Sequence, residues 1–110
     1  MEIIEGNLID VENREFYPCA ISISEGKIIN IERNSNDQYI SPGFIDAHVH
    51  VESSMLMPVE FSKLVIPNGT VGVVADPHEI ANVLGVEGVE LMVNNGEKAP
   101  LKFFWGIPSC

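Results

Sequence analysis

Basic residues are scarce: 6 Lys+Arg stand against 16 Asp+Glu, a formal net charge of −10 with histidine neutral. Arg14, Lys27, Arg33, Lys63, Lys98 and Lys102 never cluster. Nucleic-acid and anionic-membrane surfaces both need grouped cations against phosphate, so neither partner is expected. Cysteine is nearly absent too. Cys19 and Cys110 form neither a disulfide framework nor a Cys-x-x-Cys metal pair, and they read as a small buried hydrophobe and a chain end. No apolar run approaches the roughly 20 residues of a membrane span. Met1 to Asp10 holds three acids and no basic n-region of a secretory signal, which points to the cytoplasm. A Gly-rich phosphate loop, a Gly-x-Ser-x-Gly elbow and zinc-ribbon spacing are all missing, leaving phosphoryl transfer and serine hydrolysis without support.

What is present is folded material: 110 residues, 45% hydrophobic and 20% charged, one small domain's worth of chain. The first forty residues read as short strands of antiparallel sheet, Glu2 to Ile4, Leu8 to Val11, Phe16 to Ser24 and Lys27 to Glu32. Gly6-Asn7, Glu12-Asn13 and Glu25-Gly26 punctuate them, the last as a hairpin turn with positive φ at Gly26. Asn34 to Gln38 reads as a polar loop and subdomain boundary.

From residue 41 the pattern becomes strand, helix, strand, helix, strand. Phe44 to Val51 is a mostly apolar run of the kind buried on both faces of a parallel sheet. Pro58 can start a helix whose apolar face is Phe61, Leu64 and Val65, stopped at Pro67-Asn68-Gly69. Val71 to Ala75 is a second buried strand, Val89, Met92 and Val93 repeat the helical spacing, and Leu101 to Trp105 is a third strand. The fold class is therefore α/β, with parallel crossovers belonging to an open sheet or a barrel. A closed barrel takes about 250 residues, so only its first units fit in residues 41–110.

His48, His50 and His78 lie near the C-terminal ends of the first two of these strands, where parallel α/β sheets bind ligands. Side chains two apart on a strand share a face, so His48 and His50 can present imidazoles to one divalent metal while Val49 turns into packing. The bland alternative is one exposed histidine and one hydrogen-bonded in the core. Asp76-Pro77-His78-Glu79 can orient a polar substrate or support a metal ligand. Equally, Asp76 can cap a helix from His78 to Leu84 with Glu79 in its first turn. Glu52 can accept a ligand histidine's N–H, contact substrate, or belong to a solvated loop. Met55 and Met57 read as loop and packing hydrophobes.

Ser41-Pro-Gly-Phe-Ile-Asp-Ala-His-Val-His-Val-Glu-Ser-Ser54 resembles the first-strand signature of the amidohydrolase superfamily, and its Glu-Ser-Ser continuation is similar to the adenine deaminase branch. Asp76-Pro-His-Glu-Ile-Ala-Asn82 and Phe103-Phe-Trp-Gly-Ile-Pro-Ser-Cys110 strengthen the match. The resemblance implies that residues 1–40 are part of a small β-sandwich and residues 41–110 the first strands and helices of a metal-dependent (β/α)8 barrel. It implies hydrolysis of adenine to hypoxanthine and ammonia by metal-activated hydroxide, with His48 and His50 as metal ligands and Glu52, Asp76, His78 and Glu79 as substrate or ligand-supporting residues. Mn or Fe is favoured over Zn, in a centre that is binuclear in the complete enzyme. The bridging carboxylate, the later histidines and the proton-handling aspartate would then lie beyond Cys110, so this N-terminal portion is expected to be inactive alone and to need the rest of the barrel. A homo-oligomer stays open. The alternatives are another amidohydrolase, a cyclic amidase or a deacetylase, and a non-catalytic interaction module.

Overall fold

The computed structural model describes residues 1–34 and 37–108. Ser35 and Asn36 of the expected loop, and Cys110, lie outside the described residues. The architecture is α/β and separates into two units, Met1–Pro42 and Gly43–Cys110.

The first unit is a four-stranded sheet ordered β3-β2-β1-β4, from β1 (Glu2–Asp10), β2 (Glu15–Ser24), β3 (Lys27–Arg33) and β4 (Tyr39–Ile40). β1 runs antiparallel to β2, and β2 to β3, while β4 lies parallel to β1 with Asn7 opposite Tyr39. The expected break at Gly6-Asn7 does not occur, and β1 passes straight through it. Gly6 serves close approach and not a turn, since a Cβ there would come within 2.6 Å of Ile40 Cγ1. The β2–β3 turn carries positive φ at both Glu25 (51°) and Gly26 (72°), the twist-matched geometry of a two-residue hairpin. In the β1–β2 turn the Asp10 carboxylate accepts from the backbone N–H and the side-chain amide of Asn13, each at 2.9 Å. These bonds hold its pKa below the ordinary 3.8. Cys19 and Ile21 are the buried apolar residues of this sheet.

The second unit is a parallel sheet ordered β5-β6-β7, from β5 (Phe44–Val49), β6 (Thr70–Ala75) and β7 (Lys102–Trp105). Helix α1 (Pro58–Val65) joins the first pair and α2 (His78–Gly96) the second. Val51, Phe61, Val73, Ala75, Met92 and Leu101 form its core. The run expected to be buried on both faces is not. Phe44 and Ile45 are 64% and 62% exposed, because among the described residues little packs over their side chains on this edge strand. Leu64, expected on the buried face of α1, is likewise exposed, whereas Phe61 is buried. α2 merges both expected helical stretches across a kink at Gly85, whose φ of 62° and ψ of −146° are not helical.

Neither helix has a side-chain cap from its own N-cap residue, Met57 or Pro77. The caps come from other elements. Asn95 Oδ1, near the end of α2, accepts from Val59 N–H in the first turn of α1 at 2.9 Å. Glu52 does the same for α2, as described below.

Candidate metal centre

Strand β5 delivers His48 and His50 with a local irregularity. Asp46 pairs with Val73 and Val49 with Ala75, so three steps on β5 match two on β6. Asp46 Oδ1 accepts from His48 N–H at 3.1 Å, holding the backbone in this bend. The chain then turns through a short 3₁₀ helix, Val51–Ser54, pinned by Val51, which is fully buried. Anchoring Val51 in the core turns its neighbours His50 and Glu52 away from it. Met55, at φ 60°, is exposed, and Met57 packs partly buried against the core.

The two imidazoles meet. His48 Nε2 lies 3.0 Å from His50 Nε2, with ring planes 73° apart. His50 Nδ1 lies 2.8 Å from the backbone carbonyl oxygen of Asp76, which can only accept, so Nδ1 carries the proton and donates. A proton held on Nδ1 leaves Nε2, which faces His48, as the nitrogen that can ligate, the tautomer a metal ligand needs. Asp76 is itself tied to the end of β5, donating its N–H to Val49 carbonyl at 3.0 Å.

Asp76 holds three roles at once. Its carbonyl takes His50, its Oδ2 accepts from His78 Nδ1 at 3.0 Å, and its Oδ1 is buried without a hydrogen-bond partner among the described residues. It does not cap α2: Oδ2 goes to His78, and the first-turn N–H groups of Glu79 and Ile80 go to Glu52. The His78 hydrogen bond lowers the Asp76 pKa against the opposing effect of desolvation, and the same bond raises that of His78. The His78 ring stands edge-on to His50, centroids 4.5 Å apart.

Of the sequence-singled residues, His48, His50 and Asp76 come together: one ligand atom from each lies within 4.8 Å of the others. Donors sharing an ion about 2.1 Å away stand roughly 3 Å apart, which the histidine pair meets. The His50 lone pair, a His48 Nε2 that becomes a donor atom once its proton moves to Nδ1 or leaves, and a buried carboxylate oxygen lacking a hydrogen-bond donor form a set that a divalent cation completes. The residues present fit the group. His78 sits behind Asp76. Glu52 and Glu79 do not join the cluster; Glu52 Oε1 accepts from the N–H groups of Glu79 (3.1 Å) and Ile80 (3.3 Å), and Glu79 Oε2 accepts from Ser53 Oγ at 2.6 Å. Ser53 and Asp46 escape a sequence reading, since a hydroxyl or carboxylate beside a motif carries no local sign of which backbone or side chain it will meet.

The model of the amidohydrolase family matches residues 39–110. The chain is 53% identical over 109 residues to an adenine deaminase of Borreliella burgdorferi, covering 97% of this chain and 20% of the relative. It is 50% identical to one from Sulfurovum sp. with the same coverage. To one from Methanosarcina barkeri it is 49% identical, covering 100% of this chain and 20% of the relative. The chain thus spans about a fifth of the length of the curated relatives it matches. With the whole of its β5–β7 sheet and its histidine cluster inside the matched segment, the chain belongs to the amidohydrolase family.

Proposed function

We propose that this chain is part of an adenine deaminase, converting adenine and water to hypoxanthine and ammonia. The observation that carries the reading is identity of about half to adenine deaminases along nearly the whole chain. The convergence of His48, His50 and Asp76 supports it. His48 and His50 are the metal ligands in this reading, and Mn or Fe is the preferred ion, one of two in the complete centre. A divalent cation held there supplies Lewis-acid activation of water for attack on the amidine carbon bearing the amino group.

This chain's own residues supply the frame. His50 is fixed in the ligating tautomer by its Nδ1–H bond to the Asp76 carbonyl. Asp76 brings a carboxylate to the same point and keeps His78 beside it, where the imidazole can meet a polar edge of the purine. Residues 41–110 are read as the first units of a (β/α)8 barrel, which the unreversed order β5-β6-β7 supports. Residues 1–40 are read as part of a small β-sandwich, which the four-stranded sheet supports.

The test is a substrate panel on the intact polypeptide carrying this sequence. Ammonia release from adenine, with hypoxanthine as co-product, is expected. Ring opening of a dihydropyrimidine or deacetylation of an N-acetyl amino sugar, without attack on adenine, would replace this reading by that of another amidohydrolase.

A further inference from the structure

The turn after the histidine pair is fastened to the start of α2 by a two-way clamp. Glu52 Oε1 accepts from two backbone N–H groups of the first turn of α2, Glu79 and Ile80. Ser53 Oγ donates back to Glu79 Oε2. A helix N-terminus leaves its first N–H groups without partners inside the helix and favours negative charge, so a carboxylate there is stabilising on both counts. Local sequence does not meet the need, because Pro77 offers no capping side chain and Asp76 is occupied by His78.

The clamp closes a ring around the metal centre. Glu52 follows His50 by two residues, Glu79 follows Asp76 by three, and the opposite side of the ring is the bond from His50 Nδ1 to the Asp76 carbonyl. Loosening Glu52 frees the first turn of α2, and with it Asp76 and His78, from the segment bearing His50. One Glu52 oxygen, Oε1, is already engaged twice by backbone, which favours this role over substrate contact, while the other, Oε2, is buried without a hydrogen-bond partner among the described residues.

We infer that Glu52 is a positioning residue for the metal centre, acting through the first turn of α2 with Ser53 and Glu79, and does not bind substrate. The inference rests on the reading of His48 and His50 as ligands. It is tested on the intact metal-loaded polypeptide with Glu52→Ala, Glu52→Gln, Ser53→Ala and His48→Ala. The readouts are metal affinity by chelator competition, the visible spectrum of the Co(II)-substituted protein, and kcat and KM for adenine.

Glu52→Ala is expected to weaken metal binding about 10- to 100-fold, the usual effect of removing an outer support of a ligand. It should also change the Co(II) spectrum and leave the KM for adenine near its starting value. Glu52→Gln, which keeps an acceptor oxygen for the two N–H groups, should recover most of the affinity. Unchanged affinity and spectrum in Glu52→Ala, or a raised KM with unchanged affinity, overturns the inference. Should Glu52→Ala not fold, Ser53→Ala opens half of the clamp and decides the matter by the same affinity measurement. Loss of metal in His48→Ala but not in Glu52→Ala rejects the clamp alone; retention in both rejects the ligand reading as well.

Discussion

At the residue scale, local chemistry decides more than residue type does. Asp10 and Asp76 are both aspartates with lowered pKa values, yet one serves a turn and the other organises a histidine cluster. For Asp10 the cause is Asn13, through its side-chain amide first and then its backbone N–H. Asn13→Ala removes the larger contribution, so the Asp10 pKa should rise toward 3.8, read by NMR titration of its carboxyl carbon. The sign follows from the depressed folded-state value. The stabilisation is present above the unfolded pKa and is lost as pH falls through the folded one, so Asn13→Ala is less stable than the parent above that range, and the two converge in acid. Sequence carried the spacing of His48 and His50, because period-two geometry is local. It left open which way Asp76 would turn. Its competition between a helix N-terminus and an imidazole is settled by Glu52 arriving from another element to take the N–H groups.

At the scale of elements, strand and helix order was readable because hydrophobic period and turn residues act over a few positions. The Glu25-Gly26 hairpin and the Pro58 helix start show this: Gly26 takes positive φ and Pro58 stands in the first turn of α1. What was not readable depended on contacts distant in sequence. Gly6 looked like a break, but its missing side chain makes room for Ile40. β4 escaped notice because two residues of pairing carry no periodicity. Gly85 lies between two stretches of helical spacing and marks a change of direction. Its φ and ψ fall near a region open essentially to glycine, so Gly85→Ala should destabilise the protein by about 1–3 kcal/mol. Since a Cβ there would meet nothing within 4 Å, the cost comes from backbone conformation alone. Chemical denaturation measures it; a change within about 0.5 kcal/mol would show that the kink is not a constraint.

At the scale of the molecule, the apolar run Phe44–Val49 illustrates where sequence reasoning and this chain part company. Its composition suits a strand covered on both faces, yet Phe44 and Ile45 stand exposed opposite Thr70 and Gly72 of β6. Pattern reports the environment a strand is built for, and the described residues supply only part of it. No helix among them is long and apolar enough to cross a membrane.

The central claim is that His48 and His50 hold a divalent cation, and anomalous X-ray diffraction from crystals of the intact polypeptide, at the absorption edges of Mn and Fe, tests it most directly. The account predicts an anomalous peak about 2.0–2.2 Å from Nε2 of both histidines. A map in which these two nitrogens stay hydrogen-bonded to each other, with the anomalous density elsewhere or absent in the metal-loaded protein, would contradict it.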